Sequence, residues 1–167
     1  VTHDQEEALS LSHRIGILEK GRLLQVGKPK ELYDRPGTCY VARFLGDVNK
    51  LSGMAKKEVD GRVSIEMAGG QSFYCGPQNS PSFVTDDARY PATAYIRPEN
   101  IILFTNSQSE ETMNELQGVI TKSVFYGGYT QYEVQFKHNN ILKVRVQHGT
   151  KSPDGFRNGS KVYISFH

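Results

Sequence analysis

What this chain lacks narrows it first. No apolar run reaches membrane-spanning length, and no signal peptide or lipidation motif is present. Neither sign of charge dominates: the net charge is +2, and Lys and Arg are scattered singly between acids. There is no phosphate-tracking stripe, so nucleic acid is not an expected partner. Cysteine is nearly absent. Cys39 and Cys75 are far apart and without metal-ligand spacing, which reads as two reduced thiols of a cytosolic protein. The five histidines show no metal-ligand spacing either, and His138, His148 and His167 fall in expected turns or at the end. No Gly-x-x-x-x-Gly-Lys-Ser/Thr occurs, so no phosphate-cradling loop is expected. The chain does not open with Met but inside a strand-to-helix motif, which reads as a piece of a longer protein. What remains is globular: 167 residues, 37% hydrophobic and 23% charged, enough for one ordinary domain or two small ones.

The first residues carry the sharpest signal. Val1-Thr2 reads as the end of a strand. Asp4 stands where a helix N-cap belongs, and Glu7, three residues on, has capping-box spacing. Glu6 and Glu7 put negative charge on the first helical turn, where the dipole favours it. Leu9 and Leu11 follow. His3 is thereby expected at a strand-to-helix junction, pointing out of the carboxyl end of a sheet, where open α/β sheets bind ligands.

Arg14 to Gly27 reads as a hairpin turned by Glu19-Lys20-Gly21. A helix then starts near Pro29 and stops before Pro36. A second runs from Thr38 as N-cap to Gly46, with Val41, Ala42, Phe44 and Leu45 as its apolar stripe. These pieces are expected to be too few to bury a core by themselves. Their uncovered apolar residues predict association of the chain into a dimer or higher oligomer.

From Val48 the pattern turns to period two. Strands are expected over Lys50–Val59, broken by Gly53, then over Arg62–Met67 after an Asp60-Gly61 turn, and over Gln71–Cys75. A polar loop is expected over 76–91. A strand from Ala92 to Phe104 is interrupted at Arg97–Asn100, and a second loop covers 105–115. Further strands are expected over Gly118–Tyr126, Tyr129–Phe136 and Ile141–Val146, turned by Gly127-Gly128 and Asn139-Asn140, and over the closing Val162–Phe166. Short strands with glycine-rich turns predict a mainly β chain, a small barrel or paired barrels, behind an α+β tail.

Val1-Thr2-His3-Asp4-Gln5-Glu6-Glu7-Ala8-Leu9, with the segment from Ser12 to Pro36, closely resembles the end of the nucleotide-binding domain of the ATPase subunits of bacterial ABC importers. Phe44–Asn49, Ile96-Arg97-Pro98-Glu99, Gly118-Val119 with Gly128–Tyr132, and Gly159–Ser165 resemble the family's C-terminal regulatory TOBE domain, built from OB-like folds. The resemblance implies two domains: residues 1–47, a C-terminal remnant of the nucleotide-binding domain, and residues 48–167, the TOBE/OB-like regulatory domain. It implies that His3 is the switch histidine contacting the γ-phosphate. It further implies ATP and Mg2+ as cofactors of the intact subunit, and none for this chain alone, because the family's phosphate loop, Walker B carboxylate, catalytic Glu and signature precede the switch histidine. The expected partners are a second copy of the ATPase subunit and membrane permease subunits. The expected place is cytoplasmic, on the inner face of the membrane. The transported solute is left open among polyamines, oxyanions such as sulfate, and ferric iron.

Other residues invite a site reading. Asp4 and Glu7 flank His3 as structural candidates. Arg97 and Glu99 fit an ion pair or a turn-holding backbone contact better than a ligand site. Met67-Ala68-Gly69-Gly70-Gln71 resembles the family's signature but stands on the wrong side of the histidine, and it reads as a hairpin turn. Tyr126, Tyr129 and Tyr132 could stack on a base, though their spacing favours core or rim packing. Two other classes stay open: an autonomous barrel sensing a small solute or anion, and, less favoured, an OB-type nucleic-acid binder.

Overall fold

A computed structural model describes residues 1–75, 88–107, 114–137, 140–148 and 156–166. Residues 76–87 and 108–113 of the loops expected over 76–91 and 105–115, together with His138, Asn139 and His167, lie outside the described residues. The chain forms two compact units, Val1–Val48 and Asn49–His167.

The first unit contains helix α1 (Gln5–Leu11), strands β1 (Ile15–Glu19) and β2 (Arg22–Gly27), and helices α2 (Pro29–Asp34) and α3 (Cys39–Phe44). The hairpin turns on Lys20 and Gly21, both at positive φ, which leaves Glu19 paired with Arg22. Pro29 occupies the first turn of α2, and Thr38 Oγ1 caps α3 by accepting from the Val41 N–H at 3.2 Å. The Gln25 side chain spans to the connection between these helices: its Oε1 accepts from the Gly37 N–H at 2.7 Å and its Nε2 donates to the Arg35 carbonyl at 3.2 Å.

Two expectations for this unit fail. Val1-Thr2 is not a strand, because no described strand lies beside it to complete its backbone hydrogen bonds. The unit also does bury a core of its own. Ile15 and Ile17 from one face of the hairpin meet Leu32 of α2 and Val41 and Leu45 from α3 and its cap, with Ala8, Leu9 and Leu24 packed at the margin. Alternation on β1 supplies one apolar face, and two short helices suffice to cover it. Leu11, Leu18, Leu23 and Val26 remain exposed.

The second unit is all β apart from single turns. Its first sheet has the order β5-β4-β3-β6, from β3 (Asn49–Lys57), β4 (Val63–Met67), β5 (Ser72–Cys75) and β6 (Tyr90–Ile96). Its second has the order β10-β9-β8-β11-β7, from β7 (Ile101–Phe104), β8 (Glu115–Phe125), β9 (Tyr129–Phe136), β10 (Asn140–Gln147) and β11 (Lys161–Phe166). Every pairing is antiparallel. The second sheet curls into an OB-like half-barrel, with β10 brought alongside β7 and the Pro98–Asn100 turn. Leu51, Ile65 and Phe73 of the first sheet and Leu116, Val134, Leu142, Val144 and Ile164 of the second belong to one core. The chain is therefore mainly β, with an OB-like region behind a short α+β segment.

The two sheets repeat one topology. In each, three successive strands form a meander and the fourth pairs back with the first. The repeat is written in the sequence as Asn49-x-Leu51-x-Gly53 and Asn114-x-Leu116-x-Gly118. Both leucines are core residues.

Three differences from the expected strand boundaries have a structural reason. β3 runs unbroken through Gly53, where the close approach of β4 leaves no room for a side chain. β6 begins at Tyr90 and includes Pro91; it is an edge strand among the described residues, where proline is tolerated. β8 begins at Glu115 rather than Gly118, so the polar segment before it ends earlier than its composition suggests.

Candidate functional site

His3 is exposed and immediately precedes the N-cap residue of α1. Asp4 is the N-cap: its Oδ1 accepts from the Glu7 N–H at 3.0 Å. Glu7 does not close a capping box on the Asp4 backbone. Thr2 stands between them, its hydroxyl accepting from the Asp4 N–H at 3.0 Å and donating to Glu7 Oε2 at 2.5 Å. A closed ring of three hydrogen bonds thus runs Asp4–Glu7–Thr2–Asp4, and His3 lies in the chain between two of its members. Both neighbours of His3 are pinned, while the imidazole makes no hydrogen bond, ion pair or ring contact among the described residues. The carboxylates of Asp4, Glu6 and Glu7 surround the start of α1, and Asp4 already takes up the Glu7 N–H.

Arg97 and Glu99 belong to the second unit and are structural neighbours of β10. Arg97 is buried, and its carbonyl accepts from the Asn100 N–H at 3.0 Å, closing the turn through buried Pro98. Glu99 Oε2 lies 3.8 Å from Arg145 Nη1. Arg145 in turn donates from Nε to Gln131 Oε1 at 3.3 Å and sits over the Tyr129 ring, 5.3 Å from its centroid. These groups tie the turn to β9 and β10.

The tyrosines divide. Tyr132 is buried and meets Phe156 edge to face, whereas Tyr126 and Tyr129 stack on each other with centroids 5.2 Å apart. The signature-like Met67–Gln71 segment is the β4–β5 turn, with Gly69 and Gly70 at positive φ and the Met67 N–H donating to the Gln71 carbonyl at 2.8 Å. At the β3–β4 turn the exposed Asp60 carboxyl is held below the usual carboxylate range by hydrogen bonds from the Arg62 side chain and backbone. Burial pushes the Cys75 thiol up. Among the described residues no cluster of three or more His, Cys, Asp or Glu could hold a metal ion, and no helix is long and apolar enough to cross a membrane.

The residues missed from sequence are the amides, Gln25, Asn49 and Asn114, and the barrel-tying Arg145. The repeated Asn-x-Leu-x-Gly was the available signal for two of them.

On this fold and geometry, the chain is similar to the ATP-binding subunits of ABC importers and matches a C-terminal, TOBE-bearing fragment of one. Residues 94–167 match the TOBE domain. The chain is similar to the spermidine/putrescine import ATP-binding protein PotA of Ruegeria pomeroyi, 31% identical over 170 residues. That match covers 99% of this chain and 42% of the relative. PotA of Thermobifida fusca is likewise 31% identical, over 99% of this chain and 41% of its own length. PotA 1 of Pseudomonas aeruginosa is 34% identical over 90% of this chain and 38% of its own length. The chain thus spans less than half the length of these relatives. Among solved structures, the cytoplasmic molybdate-binding protein ModG shares the fold with a TM-score of 0.58 at 16% identity, over 71% of this chain and 89% of that one.

Proposed function

We propose that this chain is the C-terminal portion of the ATP-hydrolysing subunit of a bacterial ABC importer, and that the intact subunit couples ATP binding and hydrolysis to solute uptake. The observation that carries the reading is similarity along nearly the whole chain to import ATP-binding proteins named for spermidine and putrescine. Their names favour a polyamine over sulfate or ferric iron as the solute. In this reading the intact subunit uses ATP and Mg2+, pairs with a second copy, and lies on the inner face of the membrane against permease subunits. Residues 1–47 are the end of its nucleotide-binding domain. Residues 48–167 are its TOBE/OB-like regulatory domain, serving dimerisation or the sensing of a small molecule or anion.

His3 is the chemical contribution of this chain. Its ring donates a hydrogen bond to the γ-phosphate, stabilises charge that develops during transfer, and helps to position the attacking water. The Thr2–Asp4–Glu7 ring supports that role: with the backbone on either side fixed, the imidazole is presented with little backbone freedom left to lose. The rest of the phosphate and metal machinery is expected upstream. The test is His3→Ala in the full-length subunit assembled with its permease. Hydrolysis is expected to fall by about two to three decades, the loss typical of one transition-state contact, with nucleotide binding largely kept. Hydrolysis within about threefold of the parent would refute the assignment, since a transition-state donor is worth far more.

A further inference from the structure

Asn49 and Asn114 hold the two repeats in opposite directions. Asn49 Nδ2 donates to the Lys143 carbonyl at 2.7 Å, and its Oδ1 accepts from the Lys143 N–H at 2.8 Å. Asn114 Nδ2 donates to the Tyr74 carbonyl at 2.9 Å and to the Phe166 carbonyl at 3.1 Å, while its Oδ1 accepts from the Tyr74 N–H at 2.7 Å. Both asparagines are buried, at 6% and 4% exposure. A primary amide offers the same donor and acceptor as a peptide group. Each side chain therefore stands where a neighbouring strand would otherwise stand.

The targets are equivalent as well. Lys143 lies on β10 and Tyr74 on β5, the third strand of each repeat and an outer strand of its sheet. Asn49 opens the first strand of the first repeat and grips the third strand of the second. Asn114 immediately precedes the first strand of the second repeat and grips the third strand of the first. The arrangement is reciprocal, as in a two-fold pair, but within one chain.

We infer that Asn49 and Asn114 form a reciprocal latch that makes the two repeats one cooperative unit. Each asparagine is a positioning residue that fastens one sheet to the other. Once one contact is released, the second holds sheets that are already partly free, and its own loss matters less.

A double-mutant cycle on the whole chain reads this directly. Asn49→Ala, Asn114→Ala and the double variant are unfolded in urea, with the midpoint followed by circular dichroism. The two asparagines share no hydrogen-bond partner, so independent contacts would give additive shifts. The latch predicts a double-variant shift clearly smaller than the sum of the single shifts. It also predicts that each single variant accelerates hydrogen exchange at both latched amides, Lys143 and Tyr74, by at least about tenfold. Additive midpoints, with faster exchange only at the amide whose own asparagine is removed, would overturn the inference. Where an alanine variant does not fold, Asn49→Asp and Asn114→Asp keep the size and the acceptor but lose the donor. The same cycle and the same two amides then decide between the same two results.

Discussion

Gly53 lies beneath the carbonyl of Glu66 on the neighbouring strand: a Cβ at position 53 would strike that oxygen and lie 2.9 Å from Ile65 Cγ2. The equivalent residue of the second repeat, Gly118, is crowded in the same way, with Val134 Cγ1 at 2.7 Å and the Gln135 carbonyl oxygen at 2.8 Å from the added carbon. Gly53→Ala forces a backbone shift and is expected to destabilise the second unit by about 1–3 kcal/mol, the usual range for overpacking. Gly118→Ala acts in the same direction and less strongly, because its nearest obstacle is a side-chain methyl. Urea midpoints of the two variants check both the sign and the order.

The hairpin of the first unit turns on a lysine at φ 48° followed by Gly21 at φ 79°. That pair of left-handed residues suits a two-residue hairpin loop, but Lys20 carries a Cβ penalty that asparagine tolerates better. Lys20→Asn is expected to raise stability by a few tenths to about 1 kcal/mol. A thermal midpoint that falls would show that the loop conformation is not what limits the turn.

The two thiols are expected to react differently. Cys39 is exposed, whereas burial raises the pKa of Cys75. The thiolate is the nucleophile, so near neutral pH an alkylating reagent is expected to label Cys39 well before Cys75. As pH rises, the difference should narrow. The linkage has a definite sign: the folded thiol holds its proton longer than the unfolded one. This contribution to stability is complete below the unfolded pKa and is lost as pH rises through the folded one. Mass spectrometry of timed labelling, with urea-unfolded chain as the reference, tests the order.

The chain by itself is expected neither to bind nor to turn over ATP. His3 supplies one donor, and the surrounding Asp4, Glu6 and Glu7 carboxylates disfavour a polyphosphate that no other cradle holds. Magnesium-dependent phosphate release that survives removal of contaminants and is abolished by His3→Ala would contradict this.

Much of the fold was legible because its signals are local. Val63, Ile65 and Met67 alternate, as do Tyr132, Val134 and Phe136, and in each case those residues face the core. Asp4, Thr38 and Pro29 announced their helices by short-range rules. The capped helix start beside His3 was legible for the same reason, since Asp4 and Glu7 stand at cap spacing. What escaped was non-local or multivalent. The Thr2 hydroxyl inserts itself into the cap because it can donate and accept at once, a choice that spacing alone does not express. Gly53 looked like a strand breaker because the carbonyl that demands it belongs to another strand. Asn114 looked like part of a polar loop because Tyr74, its partner, is forty residues away.

The bond between Asn49 and Lys143 closes a loop of 94 residues. On a growing chain Asn49 emerges 94 residues ahead of its peptide partner, which follows after most of the second unit has been made. The first unit has no such wait, since its hairpin and helices close over short separations. Loop closure of this length adds an entropic barrier before any contact rewards it. The α+β segment can therefore be in place while the first sheet still carries an unpartnered buried-type amide at its leading edge. The contact through Asn49 can therefore close only once β10 has been made, and it ties that strand back to Asn49, the residue where the barrel began.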